Sequence, residues 1–172
     1  MPRPAPGDFA PFYAKYMDLV TEDDIQSVLS KQLDEFLALM RPVSEETGNM
    51  RHPPYTWSVK QVVGHLADSE RVFGYRALRF ARGDTTPLPG FEENDYARTA
   101  ESDRVRLADL VSEFEAIRRS HIWLFRNMPA EAWDRDGTAN GARVTVRALA
   151  FIMAGHVRHH GAILKKRLAS EH

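Results

Sequence analysis

The chain of 172 residues contains no cysteine. Disulfides, thiolate zinc sites, iron–sulfur clusters and a cysteine nucleophile are therefore excluded, and a transition metal would have to be held by histidine and carboxylate. An excess of either charge is also missing. Lysine and arginine number 23 against 24 aspartates and glutamates, and no five-residue block carries one sign, which removes the electrostatic footprint of a nucleic-acid binder. No stretch approaches the ~20 apolar residues of a membrane span, and the first residues lack the apolar centre of a secretory signal. The expected partners thus include neither nucleic acid nor membrane, and the expected location is the cytoplasm. What is present is 43% hydrophobic content, enough for one ordinary core, together with seven histidines.

Residues 1–20 read as a Pro-rich arm pinned to the body by Phe9, Phe12, Tyr13 and Tyr16, and residues 21–170 as a single domain. A first helix opens at Thr21-Glu22-Asp23-Asp24 and ends before Pro42, carrying Ile25, Val28, Leu29, Leu33, Phe36, Leu37 and Met40. The Ser58-to-Gln61 spacing is a capping box, and it starts a second helix that runs to about Arg82. Residues 83–100, with two prolines and two glycines, read as a loop of the kind that covers a site. A third helix spans about Ser102 to Asn127, with a short extra turn after Pro129. Asn140-Gly141 marks a turn, and a fourth helix runs from Thr145 to about Leu168. With four long helices and no alternating strand pattern, the expected fold is all-α, an antiparallel four-helix bundle.

Rotation by 100° per residue places His160 inside the apolar stripe of the fourth helix, His156 at its edge and His159 on the outer side. His65 lies at the margin of the stripe on the second helix, so three histidines from two helices can converge. Two imidazoles aimed into one interior region carry a burial cost that a metal relieves. His52, His121 and His172 fall in a loop, on a polar face and at a frayed end. No histidine has an acid three residues before it, which excludes the di-iron Glu-x-x-His class, and HExxH is absent. Glu70 sits on the second helix's apolar stripe. It is read either as half of a buried pair with an arginine or hydroxyl, or as a hydrogen-bond partner for a ligand histidine, a general base, or a ligand in place of His65. His159 is read as solvent-facing or as such an outer partner. Asp68 pairs with Arg71 or Arg76.

Trp57 to Arg71, Tyr75 to Asp84, Pro87 to Phe91, Val146 to Ala150 and Gly155 to His160 together resemble the DinB-like superfamily. This is the damage-inducible DinB group of metal-binding bundles and not the DNA polymerase that shares the name. The resemblance runs from about Tyr13 to Leu168. It implies a bundle of the DinB/YfiT type in which His65, His156 and His160 hold one divalent metal per chain, zinc or nickel first and iron as a further option. Relatives include S-transferases that use bacillithiol or mycothiol.

Three neutral imidazoles leave a divalent ion its charge and at least one open position, as in catalytic sites. The leading expectation is a metal-dependent S-transferase joining a small electrophile to a low-molecular-weight thiol, which the cysteine-free chain must take from outside. Arg76, Asp95 and Tyr96 are candidate pocket residues, with Arg79 beside them. The alternatives are a metal-dependent hydrolase with Glu70 as proton acceptor, and a non-enzymatic metal-binding stress protein. The aromatics Phe9, Phe12, Tyr13, Trp123 and Phe125 exceed what one bundle core requires, and with them the family resemblance implies a symmetric homodimer.

Overall fold

In a computed structural model that describes residues 2–169, the elements follow the sequence's own punctuation. Ser170, the last residue of the expected domain, and His172 lie outside the described residues. The arm holds a 3₁₀ turn, Pro11–Tyr13, and a one-turn helix α1 (Ala14–Met17). Then come α2 (Ile25–Met40), α3 (Glu45–Asn49), α4 (Val59–Ala81), α5 (Glu93–Thr99), α6 (Leu107–Arg126) and α7 (Val146–Ala169). A hairpin of β1 (Asp136–Ala139) and β2 (Ala142–Thr145) precedes α7.

The starts of α2, α4 and α7 are set by side-chain caps. Asp24, not Thr21, caps α2 by accepting from Ser27 N, because the acid nearest the first apolar residue satisfies the free amide. On α4 the capping box forms as spaced, with Ser58 and Gln61 bonding each other's backbone. Thr145 caps α7 through Ala148 N. The expected start at Ser102 is corrected: a 3₁₀ turn, Ser102–Arg104, comes first, and α6 begins at Leu107.

Two expectations about the connections fail. The segment 83–100 is not all loop, since it contains α5. The chain is not free of strands either. Asn140 (φ +52°) and Gly141 (φ +74°) take the two left-handed positions of a type I′ turn, which joins four-residue strands. The backbone of Leu88 then bonds Thr138 O and Asn140 N at 2.9 and 3.0 Å, tying the long connection to the hairpin.

Helices α2, α4, α6 and α7 form the bundle, with α4 and α2 each packing on both α6 and α7. The core falls into two apolar clusters. One gathers Val20, Ile25, Phe73, Phe80, Phe125, Trp133 and Phe151 beside the hairpin, and the other gathers Leu33, Phe36, Val63, Leu66, Phe114 and Leu164. Between them lies a buried polar layer, described below.

Within the arm, Tyr16 is buried in the first of these clusters, and Phe9 and Tyr13 pack against it. Phe12 instead points outward, 63% exposed. Phe125, counted among the surplus aromatics, is fully buried and stacks on Trp133 at 5.4 Å. Among the described residues, no helix is long and apolar enough to cross a membrane.

Candidate metal centre

Helices α4 and α7 bring His65, His156 and His160 together, each offering a ring nitrogen, with the three atoms within 4.8 Å of one another. His65 Nε2 lies 3.0 Å from His156 Nε2, although 91 residues separate them in sequence. Four-residue spacing stacks His156 and His160 on one face of α7, their ring centroids 4.6 Å apart. The burial order differs from the rotational expectation. His156 is 5% exposed and His160 half-buried, because α1 packs across α7 at the level of His156. A Cβ on Gly155 would lie 2.1 Å from Tyr16 O, so the bare glycine lets the arm's backbone sit directly on the helix beside His156.

Tyr16 is a site residue that the sequence reading used only as an anchor. Its ring meets His156 edge-on at 5.3 Å and His159 at 5.6 Å. Burial, with Glu93 and Tyr13 adding to it, pushes its phenol up to about 12, so it stays protonated. Trp57 packs on His65 at 4.9 Å and Phe73 on His156 at 5.8 Å, giving the site aromatic walls. Ser69, one helical turn beyond His65, holds a fully buried hydroxyl with no hydrogen-bond partner among the described residues.

The electrostatics keep the three histidines neutral. Burial lowers His65 to about 4. Burial first, then His65, His159 and Lys15, lowers His160 to about 3. His156 is pushed well below its ordinary value by burial and then by its histidine neighbours. Neutral imidazole is the form that binds a metal. Nitrogens at ~2.0–2.1 Å from a tetrahedral zinc stand roughly 3.3 Å apart, close to the 3.0 Å of the nearest pair. The donor set therefore fits a divalent ion.

His159 is half-buried, packs on His160 at 5.0 Å and is lowered by burial and by Lys15. Glu70 is 2% exposed and faces α6. Arg118 donates to both its oxygens, through Nη2 to Oε1 and through Nε to Oε2 at 3.1 Å, and His121 Nδ1 bonds Oε2 at 3.1 Å. Burial alone would raise this carboxyl, but the guanidinium and the imidazole hold it below its usual range. Arg118 also donates to Gln32 Oε1 at 2.8 Å, and Gln32 Nε2 donates to Ala154 O at 2.8 Å. His121, read from sequence as lying on a polar face, is thus part of a buried network, its ring seated over Gly74. The arginine partner foreseen for Glu70 is Arg118. Its position between Phe114 and Phe125 on the apolar stripe of α6 was the available signal.

The loop candidates contact their own surroundings. Arg76 Nη2 donates to Pro89 O at 2.9 Å, Asp95 pairs with Arg98 at 2.7 Å, and Tyr96 packs on Phe91 at 5.1 Å. Arg79 pairs with Asp84, and Asp68 with Arg71 at 3.6 Å.

Fold and site together define a helical bundle with a three-histidine centre able to hold a divalent ion. The chain belongs to the DinB superfamily, whose DinB_2 family matches residues 29–164. YfiT from Bacillus subtilis, described as a probable metal-dependent hydrolase with an unusual four-helix bundle topology, is similar in structure at a TM-score of 0.69 and 17% identity. The likeness covers 98% of this chain and 93% of YfiT. The mycothiol-dependent maleylpyruvate isomerase is similar at a TM-score of 0.71 and 15% identity over 87% of this chain, which spans only 62% of the isomerase's length. A histidine-to-alanine mutant of that isomerase matches equally well, at 0.71 and 14% identity. No curated protein matches the sequence.

Proposed function

We propose that the protein is a metal-dependent hydrolase of small molecules, with His65, His156 and His160 as the ligands of one divalent ion, zinc or nickel before iron. The observation that carries this reading is the convergence of three neutral ring nitrogens, with no carboxylate among them. A divalent ion on such a donor set keeps its full charge and an open position, and supplies electrophilic activation of a carbonyl or phosphoryl group and acidification of water. Tyr16, Trp57 and Phe73 wall the site, limit water and favour an apolar substrate portion. The proton acceptor in this reading is His159, which is neutral and half-buried beside His160, and not Glu70, whose two oxygens are taken.

The order of preference differs from the sequence expectation, which placed thiol S-transfer first. YfiT is matched over nearly the whole of both chains, whereas the mycothiol-dependent enzyme is matched over part of its length. S-transfer from an external low-molecular-weight thiol to a small electrophile stays as the second reading, favoured by that likeness. A metal-binding stress protein without turnover is the third. A homodimer through exposed Phe12 or Trp123 belongs to the same proposal and is tested by light scattering.

The deciding experiment loads the chain with zinc, nickel or iron and screens ester, amide and phosphoester substrates without thiol, then monochlorobimane with a thiol. Thiol-free hydrolysis that disappears in His156→Ala supports the hydrolase. Turnover that appears only with thiol moves the assignment to S-transfer. A loaded protein inert in both arms is the stress-protein case.

A further inference from the structure

The connection from Pro87 to Tyr96 builds a cavity against α4, lined by Arg71, Tyr75, Arg76, Leu88, Pro89 and Tyr96, of about 260 Å³. Arg76 lies 11 residues beyond His65 on the same helix, a rise of about 16 Å, so this cavity is distinct from the histidine cluster. Its outer wall is fixed. Leu88 is hydrogen-bonded on both sides to the hairpin, and Gly90 packs so closely on Asn140 that a Cβ would meet its Oδ1 at 2.3 Å.

The arginines around this cavity differ in their partners. Arg71 is neutralised by Glu113 at 2.5 Å and by Asp68, and Arg79 by Asp84. Arg76 is 4% exposed, yet its hydrogen bonding to the described residues is confined to the Pro89 carbonyl, and none of them brings a carboxylate to it. The Arg76 guanidinium has no counter-charge among the described residues, whereas Arg118 in the same bundle has its carboxylate. The remaining walls are apolar or aromatic, with Tyr75 and Tyr96 each about half exposed at the mouth. The volume lies just below the range typical of drug-sized ligands and suits one ring with a short substituent.

We infer that this cavity binds a small ring-bearing carboxylate, its carboxylate on the Arg76 guanidinium and its ring between Leu88 and the tyrosines at the mouth. One uncompensated cation matches a monoanion, and the planar fork of arginine matches a carboxylate's two oxygens. A phosphate dianion would need a second free cation, and Arg71 and Arg79 are both taken. The inference stands independently of what the histidine cluster does.

The test titrates the full chain, zinc-loaded and after EDTA, with benzoate and with its neutral counterpart benzyl alcohol, by calorimetry and by amide chemical shifts. Benzoate is expected to bind about tenfold or more tightly than benzyl alcohol. The shifts should be centred on residues 71–76 and 88–96, with equal affinity in the two metal states. Arg76→Gln should bring benzoate down to the alcohol's level. Tyr96→Ala, which removes an exposed ring, should weaken both probes about threefold and keeps the test intact if the arginine variant does not fold. Equal binding of the two probes overturns the inference. So do benzoate affinity lost with EDTA, which would put the carboxylate at the histidines, and Arg76→Gln binding benzoate as wild type does.

Discussion

Two polar clusters are buried in this bundle, and they resolve the cost of burial in opposite ways. In the layer of Glu70, Arg118, His121 and Gln32 each charge meets its opposite and the hydrogen bonds run unbroken to the carbonyl of Ala154. In the cluster of His65, His156 and His160 the groups are alike, so each disfavours protonation of its neighbour, and no opposite charge is built in beside them. Both are assembled from the long helices of the bundle. The first is closed and acts on the fold. The second brings together a donor set that could hold a metal ion.

The sharpest way to break that contrast is to open the closed layer. Arg118→Leu leaves Glu70 buried without its cation and should cost about 3–5 kcal/mol in urea unfolding. The double variant with Glu70→Leu should recover much of that loss. Next in size, a metal at 100 times its dissociation constant should stabilise the protein by about 2.7 kcal/mol, raising Tm by roughly 5–10 °C. Calorimetry should show that gain abolished in His156→Ala and untouched in His121→Leu.

A smaller effect is expected from pH. His65 has its folded pKa depressed to about 4 from 6.5, so below 6.5 the unfolded chain binds the extra proton and stability falls as pH falls towards 4. Between about pH 7.5 and 5.5 the metal-free wild type should lose roughly 1 kcal/mol more than His65→Ala, read from unfolding curves at each pH. The smallest effect is His121→Leu, about 1 kcal/mol, because Arg118 still engages both oxygens of Glu70.

The long helices were legible because Ile25 to Met40 and Val59 to Phe80 repeat at helical period and because caps such as Ser58 and Gln61 are local chemistry. The hairpin was not, since strands as short as Asp136–Ala139 hold too few residues to display alternation. Nor was α5, whose seven residues bury Ala97 alone. The three convergent histidines could be read as an angle about two helix axes. Which of them lies deepest could not, because that depends on α1 crossing α7 at Gly155, a contact with no trace in the periodicity of either helix. Arg118 and Gln32 did leave a trace: each occupies a stripe position between apolar neighbours, where a polar residue signals a buried partner. The family resemblance supplied the joint reading of blocks that are individually weak.

The 91 residues between His65 and His156 have a consequence for how the chain comes together. A fragment that stops short of α7 retains one of the three ring nitrogens, and the complete donor set comes into being only when the last described helix docks against α4. Uptake of a metal ion is then a clock for the closing long-range contact, so a metal-sensitive dye followed through refolding would time the final assembly of the bundle, not its early helix formation.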